Sequence, residues 1–147
     1  MSAARPAVVV DASTAAKWLP PLHGEPLALQ AQELLQRWMR AELDLIVPDL
    51  MFIEVGNALW KTVRKGGCTR AQAAAAMQLL REHELTVIPS QSLLDAALRI
   101  ALDHNRTMYD SIYVALAASS RTQLVTADEK LANALAGYYP VRWLGTL

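Results

Sequence analysis

Four acidic side chains, Asp11, Glu54, Asp110 and Asp128, stand at positions from which they can reach one point, and oxygen donors gathered in this way hold a catalytic divalent ion. Asp11 directly follows Val8, Val9 and Val10, so it sits where a buried strand ends, at the carboxyl edge where open α/β sheets bind ligands. Asp128 repeats the arrangement behind Leu124, Val125 and Thr126. Both also suit roles that need no ligand, Asp11 as a helix N-cap and Asp128 as a first-turn acid facing the helix dipole. Asp110 opens the segment Asp110–Ser119, in which Ile112, Tyr113, Val114, Ala115, Leu116, Ala117 and Ala118 leave almost no polar face. A carboxylate carried inward by so apolar a helix is costly unless it is paired or bound to a metal, although Thr107 three residues earlier offers a capping box instead. Glu54 shares a polar stripe of the helix Asp49–Lys65 with Asn57, Lys61 and Arg64, which a solvated surface would also explain. The opposite face, with Phe52, Val55, Leu59, Trp60 and Val63, is wide enough to contact more than its own sheet.

Four carboxylates converging without a cation repel one another and resist ionising together. A set with no His or Cys points to Mg²⁺ or Mn²⁺, which prefer hard oxygen ligands, and away from zinc. His23, His83 and His104 show no ligand spacing and are read as surface or structural residues.

Short apolar runs separated by longer helical segments imply an α/β fold built from βαβ units around a parallel sheet. The expected strands are Ala7–Asp11, Leu43–Val47, Thr86–Ile88, Gln123–Thr126 and Val141–Leu144. Capping-box spacing in Thr69/Gln72, Ser92/Asp95 and Thr126/Glu129 marks helix starts. Gly66 and Gly67 mark the end of the helix that begins near Asp49, and Gly137 ends the last helix before Pro140. The 147 residues suit a single domain, 1–147, with 53% hydrophobic and 19% charged residues. Fourteen Lys and Arg balance fourteen Asp and Glu, so any nucleic-acid contact must use a local patch and not a global positive field. Cys68 is the only cysteine, which excludes an internal disulfide and fits a reducing, cytoplasmic setting. No run approaches the ~18 apolar residues of a membrane span, and no signal peptide is expected.

The order of four blocks resembles the PIN-domain ribonucleases, most closely the VapC-like toxins of bacterial and archaeal toxin–antitoxin pairs. The blocks are Val9-Val10-Asp11-Ala12-Ser13, Phe52-Ile53-Glu54-Val55-Gly56-Asn57-Ala58-Leu59, Tyr109-Asp110-Ser111-Ile112-Tyr113-Val114-Ala115-Leu116-Ala117 and Leu124-Val125-Thr126-Ala127-Asp128. Each is weakly specific alone; together they span almost the whole chain.

The resemblance implies a three-layer α/β/α fold with about five parallel strands in the order 3-2-1-4-5, which makes Asp11 and Asp128 neighbours. It places the family's acidic quartet on Asp11, Glu54, Asp110 and Asp128, with Ser13 and Thr126 as hydroxyls beside it and Asn57 one turn after the glutamate. It implies a metal-dependent endoribonuclease, in which a divalent ion activates a water against an RNA phosphodiester and Asp110 or Glu54 orients that water or takes its proton. Lys61, Arg64, Lys65 and Arg106 are the candidate phosphate contacts, and Lys17 lies close behind the first strand. Homodimerisation and an antitoxin partner are further implications, with Trp18, Leu22, Trp38 and Trp60 as the expected apolar groove.

Two other classes compete. An aspartate-dependent phosphotransfer protein would want a second Asp two residues after Asp11, where Ser13 stands. A non-catalytic RNA-binding or assembly module with a PIN-like fold remains the alternative, and metal-dependent cleavage separates it from the nuclease.

Overall fold

The computed structural model describes residues 5–24 and 26–147. Its chain order is β1 (Ala7–Val10), α1 (Ala12–Ala15), a 3-10 turn (Ala16–Trp18), α2 (Ala28–Met39), β2 (Asp44–Pro48), α3 (Leu50–Arg64) and α4 (Arg70–Glu82). It continues with β3 (Thr86–Ile88), a 3-10 turn (Ser90–Leu93), α5 (Leu94–His104), α6 (Met108–Ser119), β4 (Gln123–Thr126), α7 (Glu129–Leu135) and β5 (Val141–Trp143), and closes on a 3-10 turn (Leu144–Thr146). The strands form one sheet in the order β3-β2-β1-β4-β5, parallel throughout, with helices on both faces.

The valine run makes β1 the central strand, because a strand covered on both faces must be apolar without alternation. Val9 pairs with Ile46 of β2 on one side and Leu124 of β4 on the other, and Val9, Val10, Leu45, Leu124 and Val125 are fully buried. The apolar segment that follows Asp110 lies in α6, which is buried from Ser111 to Ala117 and packs on β1, β2 and β4. It can do so only because nearly every side of it is apolar.

Several helix ends follow from local chemistry. Thr69 and Gln72 form the expected capping box. Gly66, at φ 78°, closes α3 with its N–H on the Val63 carbonyl (3.0 Å) while Gly67 N–H reaches Thr62 (2.9 Å), a Schellman arrangement that requires a left-handed residue. The start of α3 is pinned to the loop after β3: Ser90 N–H donates to Asp49 Oδ1 (2.9 Å) and Leu50 N–H to Ser90 Oγ (3.2 Å). This fixes the helix that carries Glu54.

Two expected caps are not formed. Ser92 lies inside the 3-10 turn and donates to the Pro89 carbonyl (2.7 Å), so α5 begins at Leu94 without a side-chain cap. Thr126 ends β4, and Asp128 caps α7 in its place, accepting from Lys130 and Leu131 N–H. Strand limits shift by one residue: β1 ends at Val10 because the Asp11 carbonyl already accepts helical bonds from Thr14 and Ala15, β2 runs Asp44–Pro48, and β5 ends at Trp143. Among the described residues no helix is long and apolar enough to cross a membrane.

Candidate active site

Asp11 occupies the gap between β1 and α1, at the carboxyl edge beside the end of β4. It is 6% exposed, and both of its oxygens are engaged. Oδ1 accepts from Ser13 Oγ (2.6 Å) and Thr14 N–H (3.1 Å), and Oδ2 from Thr126 Oγ1 (2.5 Å). Thr14 Oγ1 donates to the Val125 carbonyl (3.2 Å), locking the start of α1 to β4. The hydroxyls are themselves anchored, since Ala127 N–H donates to Ser13 Oγ (3.1 Å) and Asp128 N–H to Thr126 Oγ1 (3.0 Å). Burial raises the Asp11 carboxyl above its ordinary value of 3.8, and the Ser13, Thr126 and Thr14 hydrogen bonds oppose that rise. The same residue therefore serves as N-cap and as a buried acid; the two readings of the sequence are compatible.

Glu54 projects from α3 half-buried, and its Oε1 accepts a 2.6 Å bond from the Tyr113 hydroxyl of α6. Burial raises its pKa, the Tyr113 bond lowers it, and the charges of Asp11 and Asp110 raise it further. Those three acids thus share one electrostatic environment. Burial and the bond to Glu54 drive the Tyr113 hydroxyl far above its ordinary value of 10.0, so it stays protonated and acts as a donor.

Asp110 is the third residue of α6, its N–H bonded to the Thr107 side chain (3.1 Å) as the capping pattern anticipated. Its Oδ2 pairs with Arg106 Nη2 at 3.1 Å, both side chains being partly buried, and Arg106 Nε is buried without a hydrogen-bond partner. Asp128 is more exposed, at the rim. Its Oδ1 caps its own helix, accepting from Lys130 (3.0 Å) and Leu131 (3.2 Å) N–H, and it is joined to Asp11 only through Thr126.

The donor chemistry fits a hard divalent ion: oxygen ligands only, with Asp11 and Glu54 both withdrawn from water and neither in an ion pair among the described residues. As the side chains stand, no three His, Cys, Asp or Glu among the described residues are gathered closely enough to hold an ion. The contacts above account for this. Arg106 holds Asp110, and the amides of α7 hold Asp128. Ligation requires Asp110 to exchange Arg106 for the ion.

A cavity of about 410 Å³ opens beside Glu54, lined by Leu50, Ile53, Glu54, Asn57 and Tyr109. Asn57 is therefore at the site, one turn beyond the glutamate. Further along α3 a cleft of about 270 Å³ is lined by Lys61, Arg64 and Lys65, so these three expected cations do cluster. Arg106 does not join them, being tied to Asp110. Lys17 is also elsewhere, its amine reaching the Gly24 carbonyl (3.5 Å). The largest cavity, about 660 Å³ between α2 and the C-terminal residues, contains none of the four acids.

The expected apolar groove of Trp18, Leu22, Trp38 and Trp60 is not one open surface. Trp18 is 4% exposed and its indole N–H donates to the Ala31 carbonyl (2.9 Å); it belongs to the core, because a buried indole needs both packing and an acceptor. Trp38 and Leu22 are half-buried, Trp38 packing edge-on to His83 at 5.8 Å. Trp60 stands apart at 52% exposed, with the Arg64 guanidinium 4.8 Å from its ring centre. His83, wedged between Trp18 and Trp38, is structural, as expected.

Tyr113 is the site residue that sequence reasoning missed. It was counted among the apolar residues of its helix; the available signal was that a buried tyrosine needs an acceptor for its hydroxyl.

A family model described as PIN domain matches residues 8–135. The chain is 34% identical over 129 residues to Ribonuclease VapC3 of Pyrobaculum aerophilum, covering 86% of this chain and 92% of that one. It is 33% identical over 108 residues to Exonuclease VapC9 of the same organism, covering 74% and 80%. Among solved structures it is similar to the crystal structure of PAE2754 from Pyrobaculum aerophilum, with a TM-score of 0.68, 29% identity, and 97% and 94% of the two chains covered. A toxin–antitoxin complex from Klebsiella pneumoniae shares the fold, with a TM-score of 0.58, 15% identity, and 92% and 95% covered.

Proposed function

The chain belongs to the PIN-domain family, and from that premise we propose that it is a divalent-metal-dependent endoribonuclease acting as the toxin of a toxin–antitoxin pair in the cytoplasm. The observation that carries this reading is the buried, hydrogen-bonded Asp11 sharing an electrostatic environment with Glu54 and Asp110 at the carboxyl edge of the sheet. Asp11, Glu54 and Asp110 would hold Mg²⁺ or Mn²⁺, with Asp128 contributing from the rim. When bound, the ion supplies a Lewis acid for the phosphodiester and lowers the pKa of the attacking water.

The chain's own residues supply orientation and proton transfer. Ser13, Thr14 and Thr126 fix the plane of the Asp11 carboxylate, so its position does not depend on the ion. Tyr113 occupies Oε1 of Glu54 and leaves Oε2 to face the site. The upward shift of Glu54 brings its basicity closer to neutral pH, which suits a group that accepts the proton of the attacking water. Asn57 borders the cavity where the RNA backbone would enter.

The reading includes neutralisation by an antitoxin protein and assembly as a homodimer. The exposed row Leu94, Leu98 and Leu102 on α5 offers a face of the kind a second copy covers. One observation favours the competing reading of a non-catalytic RNA-binding module: Arg106 already compensates Asp110.

The test is RNA cleavage that requires Mg²⁺ or Mn²⁺, stops with chelator, and is lost in folded Asp11→Asn and Asp110→Asn proteins. A circular RNA substrate, which has no ends, separates internal cleavage from exonucleolytic trimming. Cleavage surviving both substitutions overturns the site, and no cleavage of any RNA by the unaltered protein favours the binding module.

A further inference from the structure

The outward face of α3 carries an arrangement that neither packing nor the proposed chemistry uses. Ile53 (72% exposed), Asn57, Trp60 (52% exposed), Lys61 and Arg64 succeed one another at spacings of three and four residues and therefore share a continuous helical surface. One end of that surface borders the cavity beside Glu54. The other ends in the cleft of Lys61, Arg64 and Lys65, which no acidic side chain lines. None of the three forms an ion pair among the described residues.

Part of this has a structural explanation. Cations in the last turn of a helix are favoured by its dipole, and Trp60 with Arg64 is an ordinary i, i+4 cation–π pair. Neither explanation accounts for a tryptophan left half in water between the acidic cavity and an uncompensated cationic cleft in a chain whose net charge is zero. A large aromatic surface beside backbone-neutralising cations is the combination that binds single-stranded nucleic acid, with bases stacked on the ring and phosphates on the cations.

Resting on the ribonuclease reading, we infer that the Trp60 face of α3, with Lys61, Arg64 and Lys65, is a binding track that holds single-stranded RNA on one side of the cleavage point. From Glu54 to Arg64 the helix rises about 15 Å. At a stacked spacing of about 3.4 Å per nucleotide, that spans about four nucleotides. Asn57 lies between the two ends and can donate to a sugar or base. Arg106 takes no part, since Asp110 holds it. The preference is for an unpaired strand, because a base must leave its helix to stack on Trp60.

The experiment uses a 5′-fluorescein-labelled ten-nucleotide single-stranded RNA and fluorescence anisotropy in chelator, where no cutting competes with binding. Trp60→Ala weakens binding by about 5-fold or more, with the salt dependence unchanged, while Trp60→Phe retains most of the affinity. Lys61→Gln with Lys65→Gln lowers the slope of log affinity against log salt by about 1.4. Tryptophan emission of the unaltered protein is quenched by the RNA, and that quenching is absent in Trp60→Phe. Affinity and salt slope unchanged in these variants overturn the track, as does an unaltered protein that fails to bind the RNA. Variants that keep RNA affinity but lose affinity for an acidic protein partner overturn it too, by assigning the face to protein recognition. If RNA binds here but no metal-dependent cut occurs, the nuclease reading fails and the track stands. If cleavage proceeds equally in the track variants, the converse holds.

Discussion

The Tyr113 hydroxyl donates a 2.6 Å hydrogen bond to Oε1 of Glu54, joining the most buried helix of the protein to the one that carries the exposed cationic face. The two residues are 59 positions apart in the chain. The bond stabilises the charged form of Glu54 against burial and against the neighbouring charges of Asp11 and Asp110.

Tyr113→Phe removes that donor and raises the Glu54 pKa further. Since the carboxylate is the active form, the acid limb of the pH–rate profile moves to higher pH, and at neutral pH the rate falls by about 10-fold or more. Thermal stability drops by the cost of an unsatisfied partly buried acceptor, about 1–2 kcal/mol. A pH–rate profile superimposable on that of the unaltered protein contradicts the assignment.

Asp11 and Glu54 both have raised folded-state values, so the folded chain holds protons that the unfolded chain releases. Without metal, their contribution favours folding at low pH and is lost as pH rises from the ordinary values of 3.8 and 4.5 through the raised ones. The expected outcome is that Asp11→Asn, which removes one charge but keeps the size, melts higher than the unaltered protein in chelator at pH 7.5. Conversely, Mg²⁺ or Mn²⁺ at 100 times its dissociation constant stabilises the unaltered protein by about 2.7 kcal/mol and Asp11→Asn much less. Differential scanning fluorimetry at several pH values, with and without metal, reads both effects. No metal-induced shift in the unaltered protein contradicts the site.

Arg106 competes with an ion for Asp110. Replacing it by Gln leaves Asp110 free, and Mn²⁺ titrated by calorimetry binds up to about 5-fold more tightly, corresponding to an ion pair worth about 1 kcal/mol. Weaker Mn²⁺ binding in this variant indicates instead that Arg106 holds Asp110 in its ligating position.

Much of the frame was legible from local pattern. The uninterrupted valines before Asp11 announced a strand buried on both faces, and Val9 lies between β2 and β4. The missing polar face after Asp110 announced the buried helix α6, and the Gly66-Gly67 pair its neighbour's end. Helix caps were less readable, because Thr126 and Asp128 both have the chemistry of a cap. Thr126 is withdrawn by a hydroxyl bond to Asp11, 115 residues away.

The sequence by itself determined the order of strands and helices and the placing of Asp11 and Asp128 at strand ends, since hydrophobic periodicity and turn residues act over a few positions. Only the tertiary structure decided that Tyr113 holds Glu54, that Arg106 is committed to Asp110 and not to a phosphate cleft, and that Trp18 is core while Trp60 faces water. Those outcomes depend on which faces of α2, α3 and α6 turn toward one another when the layers close. That orientation is set by packing across the whole sheet, and no short window of residues contains it.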